Sequence, residues 1–225
     1  TTINLPRIAL KHKENMDEFF IELNQKMELV KDQLLERLEI QGNKKVYNFP
    51  FLMKENVWID SEKLKLEDKV KKILKQGIMK ISFLGLNETL IILTGKNHAE
   101  SKEAQKLGLK IVGKMRKKVD YFCDKYNLNF SLAGESDINL AKEFMEFDRI
   151  IFGKVKGVTD KDAYTTSFEI PKECEWEKKI KIEAPYHELT NGGHITTVYT
   201  KENIEKVLEK MYNSDIGFGK IKFIG

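Results

Sequence analysis

Hydrophobic residues recur at steps of three and four along much of this chain, which is the spacing of one helix face. Over 20–38 this spacing predicts an amphipathic helix that ends near Gly42 and Asn43. A longer helix is predicted over 99–126. Its expected buried face consists of Ala104, Leu107, Ile111, Met115, Val119 and Phe122.

Three shorter helices are predicted in the same way. They cover 61–76, where Gly77 is the C-terminal stop, then 139–147 and 202–213. The residues expected to face inward are Val70, Ile73 and Leu74 in the first, and Ile204, Val207, Leu208 and Met211 in the last.

Short runs rich in β-forming residues separate these helices and predict strands. They read TTIN before Pro6, then IMKISFLGLNE, NFSLAGES, AYTTSFEI, HITTVYT and GKIKFI. The second run turns polar at Asn87 and Glu88, and a charged loop is expected between AYTTSFEI and His187. Alternating strands and helices predict an α/β architecture in which helices cover a sheet.

Composition narrows the class of protein. The 225 residues are 41% hydrophobic and 33% charged, and 39 basic against 35 acidic residues leave a net charge of +4. This near balance argues neither for nor against nucleic acid, and we expect no nucleic-acid partner. No apolar run reaches the roughly 18 residues of a membrane helix, so no membrane partner is expected. The basic residues of the long helix are interpreted as its solvated face.

The two cysteines, Cys123 and Cys174, are too isolated for a disulfide framework or a zinc site. A reducing, cytoplasmic location is therefore the expectation. Cys123 lies beside Phe122 on the apolar side of the long helix, and we expect a buried, inert thiol there.

The stretch HELTNGGHITTV places His187 and His194 seven residues apart. A helical zinc motif needs a spacing of four, and Pro185 and the glycines are expected to break any helix here. No further ligand is evident nearby, so no metal site is predicted. The Asn-Gly-Gly sequence predicts a tight turn before a strand. A turn whose bare N–H groups cradle a substrate is the alternative, and the residues alone leave both open.

Several stretches together resemble the catalytic domain of the anaerobic (class III) ribonucleoside-triphosphate reductases. They are TTINLPRIAL, ISFLGLNE, NFSLAGES with FDRIIFG, GVTDKDAYTTSFEI, IEAPYHELTNGGHIT and SDIGFGKIKF. The resemblance covers nearly the whole chain. It implies that residues 1–225 form a single segment, roughly half, of a ten-stranded α/β barrel.

The resemblance also implies a radical chemistry. In the family a cysteine on a central loop becomes a thiyl radical, which a glycyl radical generates, and the glycyl radical is made with S-adenosylmethionine. Four cysteines hold zinc beside the glycyl segment, and formate is often the electron source. These parts match nothing in the chain, so we expect no catalytic residue and no cofactor within it, and no reduction of ribonucleotides by it alone.

The expected partners are a nucleotide substrate and other segments or a second subunit of a reductase. The alternative is a non-catalytic, reductase-like remnant that binds a nucleotide or a protein partner.

The resemblance assigns the substrate-binding candidates Asn4, Arg7, Glu88, Asn191, Gly192 and Gly193. Asn4 would lie near the ribose, where an amide can hold a hydroxyl. For Arg7 a structural ion pair is favoured over a phosphate contact. For Glu88 a substrate-binding role and a structural role both stay open. Both histidines of the Asn-Gly-Gly stretch are expected to be structural.

Two departures from the family pattern indicate a weakened or altered site. Glu135 and Asp137 stand in a turn where the family usually has Thr-Pro-Ala/Ser-Glu, and Thr166 and Glu169 replace an amide and an imidazole. Carboxylates beside a phosphate are repulsive, by about 4 kcal/mol for unit charges ~4 Å apart at an effective dielectric of ~20.

Overall fold

The computed structural model describes residues 1–170 and 174–224. The described strands form two parallel sheets. The first has the order β1-β2-β3, with β1 at Thr2–Asn4, β2 at Ile78–Leu84 and β3 at Asn129–Gly134. The second pairs β4 (Thr196–Thr200) with β5 (Gly219–Phe223). Helices connect the strands, as parallel pairing requires.

Eight α-helices lie within the described residues. They are α1 (Leu5–Lys11), α2 (Met16–Gly42), α3 (Lys71–Leu74), α4 (Leu86–Thr94), α5 (Lys102–Tyr126), α6 (Ile138–Phe152), α7 (Trp176–Leu189) and α8 (Ile204–Tyr212). None of the helices in this part of the chain has both the length and the apolarity that crossing a membrane requires.

The two faces of the three-stranded sheet differ in chemistry. One face carries Ile3, Ile81, Phe83 and Leu132, which pack in the main core with α2 and α5. Side chains alternate between the faces of a strand. The opposite face therefore carries polar groups, of which the paired residues Thr2 and Ser82 share a hydrogen bond of 2.9 Å. The apolar face holds the fold together, since each buried large side chain contributes about 1.5–3 kcal/mol.

The two long predicted helices are confirmed. Asn15 caps the N-terminus of α2, and its side chain accepts hydrogen bonds from the backbone N–H groups of Asp17 and Glu18. The helix ends at Gly42, as the pattern predicts. All of the expected inward residues of α5 are buried except Leu107, which is half-buried.

The helix predicted over 61–76 is wrong. This stretch forms only a 3₁₀ turn at Ser61–Lys63 and the four-residue α3. The reason is that its backbone pairs with a neighbouring segment instead of with itself. Val46 N donates to Asp68 O at 3.1 Å and Val70 N donates to Lys44 O at 3.1 Å.

The strand predicted for AYTTSFEI is also wrong. Residues 164–168, here called the strap, run as bends and turns along the end of the sheet. Ser167 has a φ of 54°, which an extended strand does not allow. The strap carbonyls of Thr165 and Ser167 instead accept hydrogen bonds from Gly85 N at 2.9 Å and Leu86 N at 3.1 Å.

The charged loop predicted before His187 is in fact the helix α7, which contains Pro185. A proline removes only one helical hydrogen bond, and burial outweighs that loss here. Ile180, Ala184 and Tyr186 of this helix are buried. The part of the predicted loop at 171–173 lies outside the described residues.

The last helix, α8, is confirmed, but only half of its expected inward face is buried. Val207 and Met211 pack into a small core, whereas Ile204 and Leu208 are 46% and 53% exposed.

Candidate functional site

The carboxyl ends of the three parallel strands meet at one edge of the sheet, where ligands bind in open α/β sheets. β1 ends at Asn4, Gly85 follows β2, and β3 ends at Gly134. The strap lies against this edge. A Cβ on Gly134 would clash with Ser167 Oγ, so only glycine allows the strap to lie so close.

Asn4 and Arg7 meet at a buried carboxylate that the sequence analysis missed. Asp148 of α6 is fully buried and accepts hydrogen bonds from Asn4 Nδ2 at 2.9 Å, Arg7 Nε at 2.5 Å and Tyr164 OH at 2.9 Å. We call these four residues the Asp148 cluster. Arg7 therefore has a carboxylate partner within the protein, as the favoured interpretation of this residue requires. Burial, and then the neighbouring Asp148 carboxylate, raise the pKa of Tyr164.

Glu88 holds the strap. It does not end β2 but lies in the first turn of α4 and is fully buried. Its carboxylate accepts hydrogen bonds from Thr165 N at 3.1 Å, Thr165 Oγ1 at 2.7 Å and Lys161 Nζ at 3.1 Å. These contacts favour the structural reading of Glu88.

The Asn191-Gly192-Gly193 stretch is a turn that pairs with β3. Asn191 Oδ1 accepts from Leu132 N at 2.9 Å, and Gly192 N donates to Leu132 O at 2.7 Å. Gly193 N donates to Thr190 O at 3.0 Å. The predicted turn is confirmed. The alternative of a cradle built from bare glycine N–H groups is wrong, because the protein itself uses both.

Replacing Gly192 with alanine should destabilise the fold by about 1–3 kcal/mol. The added Cβ would stand 2.9 Å from Leu132 O and 2.9 Å from the Cβ of Ala133, and the strand backbone cannot move aside cheaply. Gly113→Ala is the control, because its added Cβ would meet nothing within 4 Å. Alanine favours the helix more than glycine does, so this variant should be more stable than wild type by about 0.5–1 kcal/mol. Denaturant unfolding measures both changes. Equal stability of the two variants would contradict the close packing at this turn.

A cleft of about 480 Å³ opens beside this turn on the polar side of the sheet. Its wall includes Lys80, Glu135, Glu169, Gly192, His194 and Lys220. The structure thus places the glycine turn in one cleft with three of the four positions that depart from the family pattern, Glu135, Thr166 and Glu169. Asn4 and Arg7 instead line a separate groove of about 230 Å³ beside β1, which we call the β1 groove.

Glu135 presents a charged carboxylate in the cleft. Burial on its own raises the pKa of Glu135, but its hydrogen bonds outweigh burial and hold that pKa below its usual range. The donors are Thr2 Oγ1 at 2.6 Å, Ser82 Oγ at 3.0 Å, Ser136 N at 2.9 Å and Asp137 N at 3.2 Å. This carboxylate therefore joins the sheet to the loop that follows β3.

Asp137 was expected to face a phosphate, but its side chain has a structural role instead. It caps α6, where its Oδ1 accepts from Asn139 N at 2.9 Å and Leu140 N at 3.3 Å. It does not line the cleft. Of the two carboxylates that were expected to repel a phosphate, only Glu135 lines the cleft.

A buried ionic cluster that the sequence analysis missed lies behind His194. Lys179 and Glu183 of α7 are 2% and 0% exposed and form an ion pair of 3.0 Å. Glu183 also accepts from Ile170 N at 3.0 Å and Thr196 Oγ1 at 2.7 Å. Burial by itself raises the pKa of Glu183, but His194, 3.9 Å away, together with Lys179 and the Ile170 N–H, lowers it to about 2. The four-residue spacing of the pair was the available signal.

His187 has the structural role that was expected. Gly217 N donates to its Nδ1 at 3.3 Å, so Nε2 carries the proton and donates to Thr196 Oγ1 at 2.8 Å. Burial lowers the pKa of His187 to about 4, which keeps the ring neutral. His194 packs its ring 4.0 Å from that of Phe168 and lines the cleft.

The described residues show no radical cysteine site or metal centre by their geometry. Cys123 is half-buried, and its thiol donates to Phe130 O at 3.3 Å. Burial raises the pKa of the Cys174 thiol, which disfavours a reactive thiolate. Across 1–170 and 174–224, no three His, Cys, Asp or Glu side chains are grouped as metal ligands.

A family model for anaerobic ribonucleoside-triphosphate reductases matches residues 1–223. The chain belongs to this family. The reductase of Salmonella typhimurium is 36% identical over 199 residues, which are 86% of this chain and 28% of that protein. The enzyme of Enterobacteria phage T4 is 33% identical over 205 residues, which are 88% of this chain and 32% of that protein. The chain therefore spans about a third or less of these relatives.

Solved structures of anaerobic ribonucleotide reductases share the fold. The Thermotoga maritima enzyme with citrate in its active site has a TM-score of 0.70 at 18% identity, over 99% of this chain and 39% of that one. The same enzyme in complex with dATP and CTP has a TM-score of 0.69 at 16% identity, over 99% of this chain and 35% of that one. These matches confirm a partial α/β fold of the reductase barrel.

Proposed function

We propose that this chain is the part of an anaerobic ribonucleoside-triphosphate reductase barrel that binds and orients the nucleotide substrate. The reaction would convert a ribonucleotide to a deoxyribonucleotide by the family's radical mechanism. The observation that carries the proposal is the polar face of the sheet, which leads into the cleft at its carboxyl edge. Family membership and the nucleotide complex of the Thermotoga maritima enzyme support it.

Each group in this chain would bind or orient. Lys80 and Lys220 supply positive charge in the cleft, which suits the phosphates of a nucleotide. Asn4 and Arg7 face the β1 groove with an amide and a guanidinium, which suit hydroxyl and anionic oxygens. Glu88 would hold the strap in place at the edge of the sheet. The family's glycyl radical would supply the hydrogen-atom chemistry, and the described residues offer no site for the family's zinc.

The direct test is reduction by the full-length protein that contains this chain. Incubated anaerobically with an activating enzyme, S-adenosylmethionine, a reductant and a ribonucleoside triphosphate, it should form the corresponding deoxynucleotide. Nucleotide binding without any deoxynucleotide would instead support the non-catalytic remnant. Neither binding nor reduction would reject both interpretations.

Replacing Glu135 with glutamine should tighten nucleoside triphosphate binding about tenfold at low salt. A unit charge ~8 Å from a phosphate charge contributes about 2 kcal/mol at an effective dielectric of ~20, and 1.4 kcal/mol is about one decade. Glutamine can keep every contact, because its oxygen can accept from the two backbone N–H groups while its amide donates to the Thr2 and Ser82 hydroxyls. Calorimetric titration of the full-length protein measures the change.

Asp137→Asn is the matched control, since asparagine also caps helices and Asp137 lies outside the cleft wall. Its effect should stay below about threefold, because the charge is farther from the ligand. The gain for Glu135→Gln should shrink as salt rises. A gain that is equal in both variants would place the phosphates away from Glu135.

A further inference from the structure

Asp148 is not exposed to solvent, yet it contacts both Asn4 and Arg7, the two substrate-binding candidates of the β1 groove. It lies in the C-terminal half of α6 and is fully buried. A buried carboxylate is costly unless it is paired and hydrogen-bonded. Its three donors come from segments far apart in the chain, with Asn4 and Arg7 144 and 141 positions away.

This contact determines which way the Asn4 amide faces. Asn4 Oδ1 accepts from Arg7 N at 3.1 Å, and Nδ2 donates to Asp148 Oδ2 at 2.9 Å. The reverse orientation would set the amide oxygen against a carboxylate oxygen and the NH₂ group against an N–H donor. The side chain is thus held in one orientation, with one N–H and one lone pair left for a ligand.

The same carboxylate orients the guanidinium of Arg7. Only Nε is engaged, by Asp148. Within the described residues, no hydrogen bond engages the two terminal nitrogens, and the side chain remains 35% exposed. Arg7 therefore keeps a planar pair of donors for an oxygen-rich ligand in the β1 groove.

We infer that Asp148 is a positioning residue that presents the Asn4 amide and the Arg7 guanidinium to a nucleotide in the β1 groove. The inference rests on the proposed function. Asp148 would touch no substrate atom and would act through these two side chains, as partners behind ligating groups do in metal and catalytic sites. Loss of such a partner typically lowers activity 10–100-fold.

An exchange of the two side chains separates positioning from plain packing. In the double variant Asn4→Asp with Asp148→Asn, a carboxylate at position 4 still accepts from Arg7 N and can accept from the amide at position 148. That amide's oxygen can accept from Arg7 Nε, and the Tyr164 hydroxyl can rotate to accept from its NH₂ group. Every contact of the Asp148 cluster is therefore kept, but the groove now receives a carboxylate instead of an amide.

The experiment uses the full-length reductase. We expect the exchanged variant to melt within a few degrees of wild type and to lose about tenfold or more in kcat/KM for a ribonucleoside triphosphate. A cluster that only packs, with no nucleotide contact at position 4, predicts wild-type kcat/KM for the exchange, and that result would overturn the inference. If wild type itself forms no deoxynucleotide, the proposed function fails, which is a distinguishable outcome.

If the exchanged variant does not fold, a second comparison tests the same inference. Tyr164→Phe removes one donor from Asp148 without touching Asn4. It should lower kcat/KM about threefold in wild type but by clearly less when Asn4 is already replaced by serine, which still caps α1, because only the contact with Arg7 then remains to be disturbed. Equal losses in both backgrounds would overturn the inference.

Discussion

Replacing Lys179 with methionine should destabilise the 225-residue chain by about 3–5 kcal/mol, the largest single effect we expect. Methionine retains most of the apolar stem, so the change isolates the charge. The ammonium contacts Glu183 Oε1 at 3.0 Å, Glu169 Oε1 at 3.4 Å and Ile170 O at 3.3 Å. Without it, the fully buried Glu183 loses its nearest cation. Denaturant unfolding measures the free-energy change.

The control is an ion pair with the same spacing on the surface. Lys206 and Glu202 are also four residues apart and 2.8 Å from each other, but they are 57% and 50% exposed. Lys206→Met should therefore cost less than about 1 kcal/mol. Adding Glu183→Gln to Lys179→Met should recover part of the loss, because no charge then remains buried. Similar costs for the two lysine variants would show that Glu183 does not need its buried partner.

Stability should fall steeply as the pH drops below about 6.5. The pKa values of His98 and His187 are lowered by burial from 6.5 to about 4 in the folded chain. Between these values the unfolded chain binds protons that the folded chain does not, so acid favours unfolding. Each histidine should lower the free energy of unfolding by roughly 1.4 kcal/mol per pH unit in this range, and the two together by about 3 kcal/mol per pH unit. The contribution is fully retained above about 6.5.

Glu183 extends the same trend to lower pH. Its pKa is lowered from 4.5 to about 2, so its contribution is present above 4.5 and is lost as the pH falls towards 2. The free energy of unfolding, measured from pH 7 down to pH 4, should therefore fall first because of the two histidines. The contribution of Glu183 should be lost only below about pH 4.5.

His98→Asn should remove about half of that histidine slope. Asparagine does not titrate, and its amide can still bond the Tyr186 hydroxyl, which His98 Nδ1 contacts at 3.2 Å. His187→Asn added to it should remove the rest, since the asparagine oxygen can accept from Gly217 N as Nδ1 does. An unchanged slope in the double variant would show that other groups control acid unfolding.

Local signals in the sequence predicted the elements whose contacts are local. The steps of three and four in α2 and α5 predicted both helices and most of their buried residues, because a helix face depends only on neighbours within a few turns. The Asn-Gly-Gly turn followed from residues that tolerate positive φ. Motif resemblance predicted the family and the partial barrel, and the family match and the shared fold confirm both.

The elements that were predicted wrongly take their conformation from distant partners. The strap has strand-like residues, but its carbonyls accept from Gly85 and Leu86, some 80 positions earlier. The region before β2 pairs with the 44–46 segment instead of forming a helix, and α7 tolerates Pro185 because its face is buried. Propensity is a weak guide where tertiary contacts of this kind compete with it.

By itself, the sequence determined the alternation of helices and strands, the apolar faces of α2 and α5, and membership of the reductase family. Only the tertiary structure decided what the polar residues do. It joined Asn4 and Arg7 to Asp148, engaged Glu135 with the Thr2 hydroxyl, and used both glycine N–H groups of the turn. The physical reason is that a buried polar group must find its partner wherever the fold brings one near, and spacing along the chain does not encode that distance.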